Sequence, residues 1–194
     1  MRVAIIVVVA CTMAGCAAQP LEVSSVTSIK PLNGATGTDI YAHQRAAGAE
    51  VPAFGGDQLL EVRTYTYPED EGRVEMAGAD CTVSAGSFTA SMTTPAKVRV
   101  PLYRNQSESL SVQCEKAGYK KRMITLKAFD KTRADRFGSM TSAGAAGGII
   151  GVVTTAAVAG IVDATSDNSE NVWHYPPAKI DLEPLEQKKP STSP

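Results

Sequence analysis

The side chains able to do chemistry are few and scattered. Two histidines, His43 and His174, stand among 194 residues, and neither belongs to a Ser-His-Asp or Cys-His order with a nucleophile motif such as G-x-S-x-G. A surface or strand position accounts for both. Glu69, Asp70 and Glu71 are adjacent in a Pro-Glu-Asp-Glu-Gly turn, whereas glycoside hydrolysis needs two carboxylates placed across a cleft. Cys81 and Cys114 are too distant for the Cys-x-x-Cys spacing that lowers a thiol pKa, and neither has a histidine or second cysteine at metal-ligand spacing. These residues predict no catalysis, no cofactor and no metal. Formal net charge is -1 and the sequence pI about 6.1, so no overall positive field attracts nucleic acid.

The first residues carry the most information. Arg2 supplies a short positive region, and Val3 to Ala10 (VAIIVVVA) is an apolar run of signal-peptide length, too short for a membrane span. Export is the expectation. Met13-Ala14-Gly15-Cys16 resembles the lipobox of bacterial lipoproteins: one bulky apolar residue, two small ones, then the cysteine that becomes the mature N-terminus. The resemblance implies diacylglyceryl transfer to the Cys16 sulfur and cleavage before it. Two or three acyl chains anchor stably, because each buried methylene contributes about 0.8 kcal/mol and one chain holds only marginally. The competing readings are a secretory peptide cut near Ala18 and a retained membrane anchor. Ala17 is not the aspartate that retains enteric lipoproteins in the inner membrane, so the resemblance implies the periplasmic face of the outer membrane.

If the acyl group takes Cys16, the mature chain keeps Cys81 and Cys114. An even pair in an oxidising compartment reads as a disulfide, and in a cytosolic chain as two buried thiols. The export signal favours the bridge.

Period-2 alternation around these cysteines predicts the elements. Cys81, Val83 and Ala85 share one face of a run, Phe88, Ala90 and Met92 of the next, and Val98, Val100 and Leu102 of a third. Leu110, Val112 and Cys114 follow, then Ile124, Leu126 and Ala128; upstream, 59–67 (LLEVRTYTY) is a further β-rich run. Gly86-Ser87, Thr94-Pro95, 104–108 (RNQSE) and Gly118 punctuate them. Both cysteines fall on inward positions. The expected fold is mainly β: a small antiparallel sandwich or open barrel stapled by one disulfide.

Cys81-Thr-Val, Thr94-Pro-Ala-Lys-Val-Arg-Val and Leu110-Ser-Val-Gln-Cys114-Glu-Lys-Ala-Gly-Tyr119 resemble the PEGA-type β-sandwich modules of bacterial envelope proteins. Over 58–182 the chain is also similar to small proteobacterial lipoproteins in which such a module precedes a glycine-rich segment and a Tyr-Pro-Pro strand. The resemblance implies a non-catalytic binding or scaffolding domain in the periplasm.

Segment 137–162 carries no charge between Arg136 and Asp163. Its length would span a bilayer, yet glycines and hydroxyls make it weakly hydrophobic. The pairs Gly144/Gly148, Gly147/Gly151 and Ala156/Gly160 would lie one turn apart on a helix and permit close backbone contact. Three readings stand: a glycine-permitted helix laid on the β domain, a self-association or partner-binding helix, and membrane insertion. The first is the default expectation.

The halves of the domain differ in charge: 57–80 is acidic, and 115–136 holds Lys116, Lys120, Lys121, Arg122, Lys127, Lys131, Arg133 and Arg136. Solvated faces or mutual pairing explain this; docking on anionic lipid or cell-wall polymer is the alternative. The expected organisation is a signal peptide over 1–15, a lipidated tether over 16–51 with pairing to a sheet edge near Ile40 and Tyr41 as an option, the β domain over 52–183 and a polar, disordered tail over 184–194. The expected function is a lipid-anchored envelope protein, structural or adaptor in kind, binding an envelope protein or cell-wall component. A membrane-active or self-assembling protein using 137–162 is the second reading. Oligomeric state does not follow from the sequence.

Overall fold

A computed structural model describes residues 19–104, 107–136 and 171–185. The alternating runs are strands: β3 (Phe54–Thr66), β5 (Asp80–Ser84), β6 (Phe88–Thr93), β7 (Ala96–Tyr103), β8 (Leu110–Glu115) and β9 (Arg122–Leu126). Shorter elements complete the chain: β1 (Ser25–Ser28), β2 (Lys30–Pro31), α1 (Ala42–Ala46), β4 (Val74–Met76), β10 (Phe129–Asp130), β11 (Trp173–His174) and β12 (Ala178–Asp181). A helix also begins at 131.

One sheet, here sheet A, has the order β1-β7-β3-β12, with β4 continuing the edge of β3 beyond β7. The other, sheet B, has the order β2-β6-β5-β8-β9 and is antiparallel throughout. Sheet A is not: β1 runs parallel to β7 and β12 parallel to β3. The all-antiparallel expectation is corrected there. A period-2 pattern identifies which face of a strand is buried and carries no information about the direction of its neighbour.

The inward rows of both sheets meet in one core. Leu60 and Val62 of β3, Val98 and Val100 of β7, Ile180 of β12, Val83 of β5 and Leu110 and Val112 of β8 are fully buried in one cluster. Burying each such side chain stabilises the fold by about 1.5 to 3 kcal/mol. Cys81 and Cys114 stand directly opposite each other on β5 and β8 and are joined by a disulfide, with Cα atoms 4.1 Å apart. That is the short spacing of a non-hydrogen-bonded antiparallel pair.

Among the described residues of the segment read as a tether, several are fastened to the sheets. β1 lies on sheet A; after the buried Ile29 the chain crosses to sheet B, where β2 pairs with β6. Ile40 then enters the core. At the other end, Pro184 bridges Tyr119 and the Leu185 N–H donates to the Gly118 carbonyl (2.8 Å), so the first tail residues are docked. Cys16 and the glycine-rich segment with Gly144, Gly147, Gly148, Gly151 and Gly160 lie outside the described residues.

Candidate functional site

Three places bring functional groups together. The first is a groove of about 640 Å³ on the outer face of sheet A, lined by Leu21, Glu61, Arg63, Tyr65, Arg73 and Lys179 among others. Alternation in β3 turns Leu59, Glu61, Arg63 and Tyr65 outward, and Tyr67 just past its end is exposed. Arg63 is the hub: Nε donates to Glu61 Oε1 (2.7 Å), and Nη1 donates both to Glu75 and to the Leu21 carbonyl (2.9 Å). Glu75 in turn accepts the Leu21 N–H (3.0 Å). A guanidinium and a carboxylate, both mostly covered, therefore hold the backbone of Leu21 from both sides. Burial opposes the charge on Arg63, but its bonds to Glu75 and Glu61 outweigh that and raise its pKa. Beside it, Arg73 lies 3.8 Å over the Tyr65 ring and donates to Asp181 Oδ1 (2.7 Å), a bond that raises the Arg73 pKa. Further along, both the Ser24 N–H (3.0 Å) and its hydroxyl (2.9 Å) donate to the Pro95 carbonyl.

The second place is a tyrosine cluster at one end of the sheets. The register shift between Phe54 and Gly56, where Gly56 adopts φ +106°, sets Phe54 opposite Tyr103. That φ is open to glycine and strained for other residues. Tyr103 packs edge-on to Tyr41 with centroids 5.0 Å apart, and its hydroxyl accepts the Ile40 N–H (3.0 Å) while lying 3.3 Å from Asp39 Oδ1. Tyr41 and Ser87 hydroxyls each donate to the Glu108 carboxylate (3.0 Å each), and the Tyr175 hydroxyl donates to the Glu108 carbonyl (2.6 Å). Burial, with nearby Asp39, raises the Tyr103 pKa; burial, with nearby Glu108, pushes Tyr175 up to about 12. These phenols stay protonated and bonded near neutral pH, so the cluster fastens 39–41, 103–108 and 175 together and holds no proton ready for transfer.

The third place is the outer face of sheet B. Register aligns Lys30, Thr89, Ser84, Ser111 and Thr125 in one row across the strands, and Ser91, Thr82, Gln113 and Met123 in the next. At its end, a shallow depression of about 390 Å³ is bordered by Asp80 and Glu115, which stand opposite each other; the Thr93 hydroxyl donates to Asp80 (2.9 Å) and Lys121 pairs with Glu115.

The two histidines are placed apart, His43 on α1 and His174 on β11; burial and the neighbouring Lys131 lower the pKa of His174. Glu69, Asp70 and Glu71 are exposed in the turn between β3 and β4. Among the described residues no group of three or more His, Cys, Asp or Glu is placed to hold a metal ion, and no helix is long and apolar enough to cross a membrane. The basic stretch is partly paired: Lys116 donates to the Ala77 carbonyl, Lys120 pairs with Glu183 and Lys131 with Asp135. The groove was not foreseen from sequence, since Arg63, Glu75 and Leu21 come from three separate segments; the outward Glu61 and Arg63 of the β3 run were its one local trace. Comparison with family models, with curated proteins and with solved structures gives no match.

Proposed function

We propose that the protein is a lipid-anchored module of a bacterial envelope, exported, acylated at Cys16, and acting as a non-catalytic structural or adaptor domain on the periplasmic side of the outer membrane. The observation that carries this reading is the disulfide between Cys81 and Cys114, the two cysteines that remain when Cys16 is taken by lipid. Such a bond persists in oxidising compartments, in agreement with the export signal. The layered β architecture supports a PEGA-like sandwich module, and the commitment of the tyrosine, arginine and carboxylate groups to one another supports a scaffold. The test is metabolic labelling with a radioactive fatty acid in a bacterial host. Label is expected in the wild-type chain, and Cys16→Ser is expected to remain an unlabelled precursor. Normal processing and membrane retention of Cys16→Ser would overturn the lipid anchor.

A further inference from the structure

We infer that the outer face of sheet A is the membrane-facing side of the domain, seated on anionic phospholipid headgroups, with the hydroxyl face of sheet B turned away; this rests on the lipid anchor at Cys16 proposed above. The first argument is reach. Gln19, Pro20 and Leu21 line the groove on sheet A, and Leu21 is gripped there through Glu75 and Arg63. Cys16 precedes Gln19 by three residues, so covalent geometry allows at most about 11 Å between their Cα atoms. Packed sheets stand about 10 Å apart before their outward side chains are counted, so a leash this short, starting from sheet A, does not let sheet B lie on the bilayer. A tether of the length read from sequence would have left every orientation open.

The second argument is composition. Leu21, Val26, Leu59 and Tyr67 are exposed large apolar side chains, and all belong to this face or its rim. Val26 stands opposite Lys97, and Lys179 opposite Arg63. Lys97, which also stands opposite Glu61, and Lys179 make no ion pair among the described residues, whereas the groove's Glu61 and Glu75 are paired with Arg63 and its Glu71 is exposed. Apolar side chains interleaved with free ammonium groups suit the boundary of a bilayer, where the first enter the interface and the second meet phosphate. Sheet B offers Met123 within its outer face and Leu32 at its edge beside β2, set among hydroxyls, and its depression is bordered by Asp80 and by Glu115, the latter paired with Lys121.

The test uses the mature acylated protein in vesicles of phosphatidylethanolamine and phosphatidylglycerol that contain a lipid with a nitroxide on its headgroup. Val26→Cys or Leu59→Cys places a fluorophore on sheet A, and Ser91→Cys or Thr125→Cys places one on sheet B. The introduced thiol is the one that reacts, because Cys81 and Cys114 are bonded and Cys16 is a thioether. The expected result is several-fold stronger quenching at both sheet A positions than at both sheet B positions. Equal quenching on the two faces of protein whose intact mass carries the acyl chains would overturn the orientation and leave the anchor standing. A mature mass without acyl chains would overturn both.

Discussion

Sheet A and sheet B present outer faces of different kinds. On sheet A, Arg63, Glu61, Glu75, Arg73 and Asp181 are bonded across three strands and out to the backbone of Leu21, so the outward side chains fasten a separate segment of chain. On sheet B the outward hydroxyls make few bonds of their own; Thr82 and Ser91 lie 3.5 Å apart, and Thr89 reaches the Val83 carbonyl at 3.3 Å. The difference extends inward. Sheet B is closed by a covalent bond between adjacent strands, whereas sheet A carries a buried polar node, in which the Thr64 hydroxyl donates to the Met76 carbonyl (2.8 Å) and meets the Thr94 hydroxyl at 2.7 Å. One sheet is stabilised by constraint and the other by assembled polar contacts; the outward side chains of the second fasten the N-terminal segment, while sheet B holds the first tail residues through the turn between β8 and β9.

The largest expected effect follows from the covalent half of that contrast. The bond closes a loop with a sequence separation of 33, which corresponds to about 3 to 4 kcal/mol in the loop-entropy model. Replacing both Cys81 and Cys114 by alanine is therefore expected to lower the unfolding free energy by about that amount in urea titrations. A loss below about 1 kcal/mol would mean that sheet B, like sheet A, is held by its non-covalent contacts, and would erase the distinction.

A smaller effect is expected at the seam where loops from both sheets meet. Burial raises the Tyr103 pKa and pushes Tyr175 up to about 12, from an ordinary 10.0. The folded state therefore keeps these protons at pH values where the unfolded chain has released them. Stability from this source is fully present below pH 10 and declines as pH rises from about 10 to about 12. A shift of this size on Tyr175 is worth about 2 kcal/mol across that window. Unfolding free energies measured through the window should fall, and less steeply for Tyr175→Phe. An unchanged slope in Tyr175→Phe would remove this phenol from the seam.

Much of the fold was legible because inward apolar residues recur at every second position: Cys81 and Val83, Phe88 through Met92, Val98 through Leu102, Leu110 through Cys114. The expectation of export, with the count of cysteines that it leaves, predicted the bond that is present. Of the N-terminal excursion only a contact near Ile40 and Tyr41 was legible, because it supplies single core residues, Ile29 and Ile40, without a period, and is held by edge pairing of its backbone. β3 shows a second reason. Thr64 and Thr66 are inside, and Tyr65 and Tyr67 outside, the reverse of what side-chain hydrophobicity favours. Partners distant in sequence settle it: Thr94 and Met76 satisfy the buried hydroxyl, and Arg73 covers the Tyr65 ring. The groove depends on the same kind of long-range meeting, so no window of sequence contains it.

The smallest and most discriminating effect compares one outward residue from each sheet. Arg63→Met keeps the apolar stem and removes the donors that hold the Leu21 carbonyl and Glu75, leaving a mostly covered carboxylate with the Leu21 N–H alone. Because hydrogen bonds to charged groups outweigh neutral ones, the expected loss is about 1 to 2 kcal/mol. Hydrogen exchange at the Leu21 amide should accelerate with it, since the grip on that segment is halved. Ser91→Ala removes one exposed hydroxyl from a row that holds nothing else in place, so its effect should stay within about 0.5 kcal/mol and leave Leu21 exchange unchanged. Equal small losses in both variants, with Leu21 protection intact in Arg63→Met, would show that the first strand's pairing with β7 seats the N-terminal segment and that the arginine is incidental to it.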